Sequence, residues 1–143
     1  MLKKKEESRV KKLLKAMRLL VKDSFVLDEE VAALAGLKPV QVKVLREVLG
    51  DLRLLFPSKP DSWIIRAAVR SFYVKEISKN HWVVKGLKEL NDYYPEYHVT
   101  FDGSKYTCSC YTHMYGYTRK KKICGHVAAV MVFRRVLRRL KLK

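Results

Sequence analysis

Amide side chains, cysteines and long apolar runs are all scarce in this chain of 143 residues. One glutamine (Gln41) and two asparagines (Asn80 and Asn91) stand beside 31 Lys and Arg. Depletion of heat-labile amides favours a thermophilic prokaryote or archaeon as the source. The longest apolar run, residues 127–133, is far too short to cross a bilayer. The first residues are charged and include no apolar stretch, so we expect a cytoplasmic protein without a secretory signal.

Acidic residues are missing from the last part of the chain. Residues 103–143 contain eleven basic residues and no acidic one, within a formal charge of +17 for the whole sequence. A block of one sign repels itself unless a polyanion lies beside it. This asymmetry predicts nucleic acid as the partner. An anionic membrane surface and an acidic protein are the less favoured alternatives.

Hydrophobic residues form 48% of the sequence, which is enough for a packed core. Their spacing in the first part of the chain predicts three helices, over residues 3–22, 28–36 and 39–49. We expect Asp28 to cap the second helix. Residues 52–56 either extend the third helix or form a strand. Pro57 and Pro60 then bracket a loop that suits a domain boundary.

The second part of the chain mixes helical and strand patterns. A helix is expected over residues 61–72, a strand or hairpin over 74–86, strands over 97–101 and 105–110, and a long helix from Gly125. Asp102-Gly103 is a favoured hairpin turn between the last two strands. The sequence therefore predicts an α+β fold.

All three cysteines and one histidine lie in two short motifs. Cys108-Ser109-Cys110 is followed after thirteen residues by Cys124-Gly125-His126. Two cysteines at i and i+2 on a strand point to the same face, and Cys124 and His126 begin a helix whose free N–H groups favour thiolate. Three thiolates and one imidazole complete a tetrahedral zinc shell with no place for water. We predict one structural Zn²⁺ on these four side chains, whose removal unfolds this part of the chain.

Other interpretations of these residues stay open. The cysteines can be small core residues, or two of them can form a disulfide, although an odd thiol and a cytoplasmic setting disfavour that. His113 is an alternative fourth ligand because it also lies near the cysteines. We find no paired carboxylates in a pocket-like context and no phosphate loop, so no catalytic residue is assigned and no enzyme is expected.

Four segments together resemble a SWIM-type zinc finger. They are residues 82–86 (Trp-Val-Val-Lys-Gly), 97–101 (Tyr-His-Val-Thr-Phe), 108–110 (Cys-Ser-Cys) and 124–130 (Cys-Gly-His-Val-Ala-Ala-Val). That family is built on Cys-x-Cys and Cys-x-His in a ββα arrangement. The resemblance implies zinc on the four ligands and a role in binding DNA or proteins, as in transposase-related, ubiquitin-ligase and recombination-associated proteins.

The first sixty residues are similar to a helix-turn-helix or winged-helix core, a layout also found in archaeal basal transcription factors of the E type. If the similarity holds, the third helix faces a DNA groove and offers Gln41, Lys43 and Arg46. We therefore divide the chain into a helical domain that resembles a winged helix (1–58) and a SWIM-like zinc-binding ββα module with a long basic C-terminal helix (59–143).

The predicted function is non-enzymatic binding of nucleic acid, with DNA favoured over RNA. The expected phosphate contacts of the second part are Lys105, Arg119, Lys120, Lys121, Lys122, Arg134, Arg135, Arg138 and Arg139. Two alternatives remain. The protein can be an interaction subunit of a recombination or transcription complex, or an RNA-binding component of a ribonucleoprotein such as the ribosome. No membrane and no small-molecule substrate is expected.

Overall fold

A computed structural model describes residues 2–111 and 123–141 of the chain. Within these residues, helices pack beside a four-stranded antiparallel sheet, which confirms the α+β prediction. The helices are α1 (Leu2–Lys22), α2 (Asp28–Ala35), α3 (Pro39–Leu55), α4 (Asp61–Ser71) and α5 (Gly125–Lys141). The strands, which neighbour one another in chain order, are β1 (Val74–Ser78), β2 (His81–Lys85), β3 (Glu96–Phe101) and β4 (Tyr106–Cys108).

Helix α3 is longer than its apolar pattern and Gly50 suggested. Val48, Leu49 and Leu52 are buried at helical spacing on both sides of this glycine, so packing carries the helix through it. Residues 52–55 therefore extend α3 and do not form a strand. Pro39 occupies the first turn, where its missing N–H costs no hydrogen bond.

Helix α2 begins at Asp28, but this aspartate is not its cap. Leu27 holds the N-cap position and makes no side-chain cap bond. The Asp28 carboxylate accepts a hydrogen bond from Nε of Arg46 on α3 instead (3.2 Å). The expected end of the helix is confirmed, because Gly36 adopts the left-handed conformation (φ 72°) and its N–H bonds the carbonyl of Ala32.

The sheet is a meander whose first two strands form the hairpin expected over residues 74–86. Val84 on β2 is paired with Tyr97 on β3, and Val99 on β3 with Cys108 on β4. The turn at Asp102 is also present, since its carboxylate accepts the backbone N–H groups of Ser104 and Lys105. Strand β4 stops at Cys108, earlier than predicted, because the chain turns into a 3₁₀ helix, Ser109–Tyr111.

Two apolar clusters meet on helix α5. One face of α5 contributes Ala128 and Val132 to the core formed by the four preceding helices, and another face contributes Val130 to the cluster that includes Trp82 of the sheet. Helix α5 also packs against α3, and α4 against α1. The helical core therefore includes residues from both sides of position 58. None of the described helices combines the length and apolarity that a membrane span needs.

Candidate metal centre and basic surfaces

The four predicted ligands come together between the sheet and the start of α5. Cys108 ends β4, Cys110 lies in the 3₁₀ helix, Cys124 immediately precedes α5, and His126 lies in its first turn. Their sulfur and imidazole atoms all lie within 4.8 Å of one another. The prediction that two cysteines of one strand share a face is wrong for Cys110. The 3₁₀ turn, not strand alternation, brings its sulfur to the cluster.

The spacing of the donor atoms fits one tetrahedral ion. With Zn–S and Zn–N bonds of about 2.3 and 2.0 Å, the ligands of such an ion lie about 3.5–3.8 Å apart. Sγ of Cys124 and Nδ1 of His126 are separated by 3.9 Å. This separation is close to the expected one, and the four donor atoms are near enough to one another that they could bind a metal ion.

Backbone N–H groups point at two of the sulfurs. Val127 N–H donates to Sγ of Cys124, and Cys110 N–H donates to Sγ of Cys108, each at 3.4 Å. Hydrogen bonds to sulfur stabilise the thiolate form that a metal ion requires. The thiols of Cys108 and Cys110 also donate to Cys124, and they lower the pKa of the Cys124 thiol well below its usual range.

A buried carboxylate holds the other side of the histidine ring. An ionised carboxylate only accepts hydrogen bonds, so Nε2 of His126 donates to Oδ1 of Asp92 (3.1 Å), which leaves Nδ1 for the metal. Arg70 binds both oxygens of Asp92 (2.8 and 3.2 Å), and Leu87 N–H donates to Oδ2 (3.0 Å). The side chains of Arg70 and Asp92 are only 8% and 4% exposed.

These contacts decide the charges in the cluster. Burial favours a protonated Asp92, but the hydrogen bonds from His126, Arg70 and Leu87 outweigh it and lower the pKa of this carboxyl to about 2. For His126, burial favours the neutral ring, yet Asp92 and the two nearby cysteines raise the pKa of the imidazole to about 10. Metal binding must therefore displace a proton from His126 as well as from thiols.

Tyr97 covers the flat side of the histidine. Its ring stacks on the imidazole with centroids 3.7 Å apart and an interplanar angle of 16°. The Tyr97 hydroxyl accepts the backbone N–H groups of Tyr93 and Tyr94. The loop between β2 and β3 is thus tied to His126 through Asp92 and through Tyr97.

The sequence analysis missed Arg70, Asp92 and Tyr97 as parts of this centre. Asp92 lies 34 positions from His126 in a segment whose pattern indicates only a loop, so no local signal connects the two residues. The one available signal is chemical. A metal-bound histidine needs a partner for its second nitrogen, and that partner had to be an acceptor somewhere else in the chain.

Three of the four α5 arginines that were expected to contact phosphate are engaged within the chain. Arg135 and Arg139 both pair with Asp51 on α3. Arg134 donates to the Tyr106 hydroxyl (2.7 Å), and its guanidinium lies over the Trp82 ring, 4.8 Å from the ring centroid. Residues 103–143 contain no acidic residue, but two of their arginines find an acidic partner, Asp51, on α3.

The remaining predicted contacts divide into three groups. Arg138, Lys105 and Lys43 are exposed. Gln41 accepts the Lys38 N–H at the start of α3, and Arg46 bonds Asp28 and the carbonyl of Val26, so both are engaged within the chain. The others lie outside the described residues, namely Arg119, Lys120, Lys121 and Lys122, as does the alternative ligand His113.

Helix α1 carries a row of exposed basic side chains. Lys11, Lys15, Arg18 and Lys22 follow one another at steps of four, three and four residues, opposite the buried face of the helix, and all four are exposed. None of them forms an ion pair within the part of the chain that the structure describes. We call these four residues the α1 basic row.

Comparison with protein families, with curated proteins and with solved structures found no match to this chain. The metal-binding arrangement of Cys108, Cys110, Cys124 and His126 therefore rests on the geometry itself. The resemblance to SWIM-type fingers stays a prediction.

Proposed function

We propose that this protein is a non-enzymatic, zinc-stabilised protein that binds nucleic acid, with DNA favoured over RNA. Zinc is the proposed ion because three thiolates and one imidazole in a closed tetrahedral set are its usual structural ligands. Four protein ligands leave no open position for substrate or water, which supports a structural role.

The α1 basic row is the observation that carries the proposal for nucleic acid. Neighbouring side chains of such a row lie about 5–6 Å apart, and a phosphate backbone offers acceptors continuously along its length. The buried face of α1, with Leu13 and Met17, anchors the helix to the core while the row faces solvent. Exposed Arg138 and Lys105 add charge elsewhere on the surface, within a total of +17.

The connection between α2 and α3 supports DNA as the favoured nucleic acid. Helix α2 ends at Ala35 and α3 begins at Pro39, and the three residues between them start with left-handed Gly36. Helix-turn-helix units use a turn of this length, often with glycine. Of the three predicted groove contacts, Lys43 alone combines exposure with freedom from contacts inside the described chain. We therefore expect phosphate contacts to dominate base reading.

Salt dependence tests the proposal directly. With six to eight phosphate contacts, the affinity for duplex DNA should fall with a log–log salt slope of about −5 to −7. The double variant Lys15→Glu/Arg18→Glu should bind at least tenfold more weakly. Its salt slope should be less steep by about 2, because two phosphate contacts are lost. Fluorescence anisotropy across a salt series measures both quantities.

A matched control carries the same change in charge at another place. Lys75→Glu/Lys79→Glu alters two exposed residues of β1 and its turn and should leave the slope near the wild-type value. A wild-type slope near zero contradicts the proposal. A preference for structured RNA at matched salt would favour the ribonucleoprotein alternative.

Exposed apolar side chains favour an interaction subunit as the second candidate. Phe25 and Leu54 are 91% and 83% exposed. Exposed apolar side chains that form a contiguous patch mark sites of protein contact. A partner that co-purifies after nuclease treatment, and is lost in Phe25→Ser, would identify this function.

A further inference from the structure

A cavity of about 500 Å³ lies between α1 and the loop that joins β2 to β3. We call residues 87–95 of that connection the tyrosine loop. Val10 of α1, Tyr73 and Gly86 form the inner wall, and Tyr93 and Tyr94 line the cavity from the loop. The volume falls in the range of about 300–1,000 Å³ that is usual for small-ligand sites.

Two tyrosine rings at this cavity are open to solvent. Tyr93 is 77% exposed and Tyr94 is 42% exposed, and their rings meet edge to face with centroids 4.9 Å apart. Aromatic faces presented to solvent beside a cavity suit the stacking of flat ligands, and every nucleobase has such a face.

Positive charge surrounds the same cavity. The Arg9 guanidinium and the Lys85 ammonium lie 5.6 and 5.9 Å from the centroid of the Tyr73 ring, and Lys88 is an exposed residue of the cavity wall. Among the described residues of the cavity wall, the acids are Glu89 and Asp92. Asp92 is ion-paired with Arg70 and bonded by His126, so Glu89 stands against Arg9 and Lys88. The balance of these described residues favours an anionic ligand.

The metal centre holds the tyrosine loop in place. The N–H groups of Tyr93 and Tyr94 donate to the hydroxyl of Tyr97, whose ring stacks on His126. Gly86 allows the loop to return closely, because a Cβ there would lie 1.9 Å from the carbonyl oxygen of Tyr94, and Gly86 N–H bonds the Pro95 carbonyl (2.8 Å). The tyrosine side chains take no part in these backbone bonds.

We propose that this cavity binds an unpaired nucleotide of single-stranded nucleic acid. The base stacks on Tyr93 or Tyr94, and its phosphates lie near Lys88 and Arg9. The inference rests on the proposed nucleic-acid function and assigns it a second site, distinct from the α1 basic row. Stacking tolerates any base, so the site is expected to read single-strandedness and not sequence.

Binding of fluorescent dT₁₂, rU₁₂ and a 12-base-pair DNA duplex at one salt concentration tests this site. Tyr93→Ala/Tyr94→Ala should weaken single-strand binding about tenfold or more and leave duplex binding unchanged, because only stacking is removed. Tyr93→Phe/Tyr94→Phe should bind like wild type, since the rings remain. The dT₁₂ and rU₁₂ arms show whether DNA, RNA or both can supply the strand.

Two controls protect the interpretation. Phe25→Ala removes an even more exposed ring in the turn between α1 and α2 and should change nothing in single-strand binding. Zinc content and circular dichroism should match wild type in every variant, because the loop is held by backbone bonds. Wild-type single-strand affinity in Tyr93→Ala/Tyr94→Ala overturns this inference alone. If the wild-type protein binds neither the single strands nor the duplex, the proposed function is overturned as well.

Discussion

At the residue scale, Gly125 lies between the last two metal ligands and against the buried Arg70. A Cβ at this position would lie 2.6 Å from Nη1 of Arg70. An exposed arginine would simply move aside, but Arg70 is 7% exposed and binds both oxygens of Asp92. The small residue between Cys124 and His126 is therefore needed by the ion pair behind the histidine.

Gly125→Ala is expected to lower the free energy of unfolding by about 1–3 kcal/mol, because Arg70 must leave Asp92 or strain the start of α5. Zinc affinity should fall as well, since His126 loses its fixed partner. Urea unfolding and competition with a chromophoric chelator measure the two effects.

Gly50→Ala provides the control for that substitution. Gly50 lies inside α3 and a Cβ there meets nothing within 4 Å. Alanine should raise the free energy of unfolding by about 0.5–1 kcal/mol through helix propensity. An equal increase in the free energy of unfolding from Gly125→Ala would show that Arg70 does not crowd this position.

At the element scale, α5 shows why a row of like charges is not always a binding surface. Its apolar positions pack against both clusters, which turns part of its basic surface toward α3 and the sheet. There, Asp51 receives Arg135 and Arg139, while Arg138 stays exposed. The buried residues of α1 lie on one face, and within the described residues its basic row forms no ion pair.

The two kinds of arginine on α5 should therefore respond differently to substitution. Arg139→Ala should lower the free energy of unfolding by about 0.5–1 kcal/mol, because a partly exposed pair with Asp51 is lost. Arg138→Ala should leave stability within error and weaken duplex binding instead. Urea midpoints measure the stability of the two variants, and anisotropy measures their duplex binding. Identical behaviour of the two variants would contradict the distinction between paired Arg139 and exposed Arg138.

At the scale of the whole molecule, the candidate metal centre lies where the two apolar clusters join. Helix α5 starts at the ligands and packs on both clusters, and Arg70 links His126 to α4. Structural zinc contributes about 10–16 kcal/mol in small domains, which equals or exceeds the usual stability of a whole domain. Removal of the ion is therefore expected to destabilise both apolar clusters, not only the segments that carry the cysteines.

Two tryptophans allow that expectation to be checked. Trp82 is buried in the cluster between sheet and α5, and Trp63 packs edge to face on Phe56 at the helical core. In the single-tryptophan variants Trp63→Phe and Trp82→Phe, chelation should change the emission of the remaining tryptophan over the same range of chelator. Zinc should restore both signals.

Cys110→Ser should reproduce the chelated state without chelator, since the closed shell then lacks one thiolate. Separate transitions for the two tryptophans would show that the clusters respond independently, as a boundary near residue 58 implies. Unchanged spectra after complete removal of metal would contradict a structural ion.

Features that depend on near neighbours in the chain could be predicted. Amphipathic spacing predicted the helices, the Asp102 turn predicted the last hairpin, and two short motifs predicted the four side chains that cluster, because each pattern is complete within a few residues. The ends of helices and strands that depend on packing were harder to predict. Helix α3 continues through Gly50, and strand β4 ends earlier than expected.

Only the tertiary structure decided which charged groups meet. Asp92 reaches His126 from 34 positions away, and Asp51 reaches Arg135 and Arg139 from more than 80. Such pairs leave no trace in local composition, because the partner of a buried or half-buried charge is chosen by how helices and sheet pack. The same packing leaves the α1 basic row exposed and pairs two of the arginines that were expected to contact phosphate.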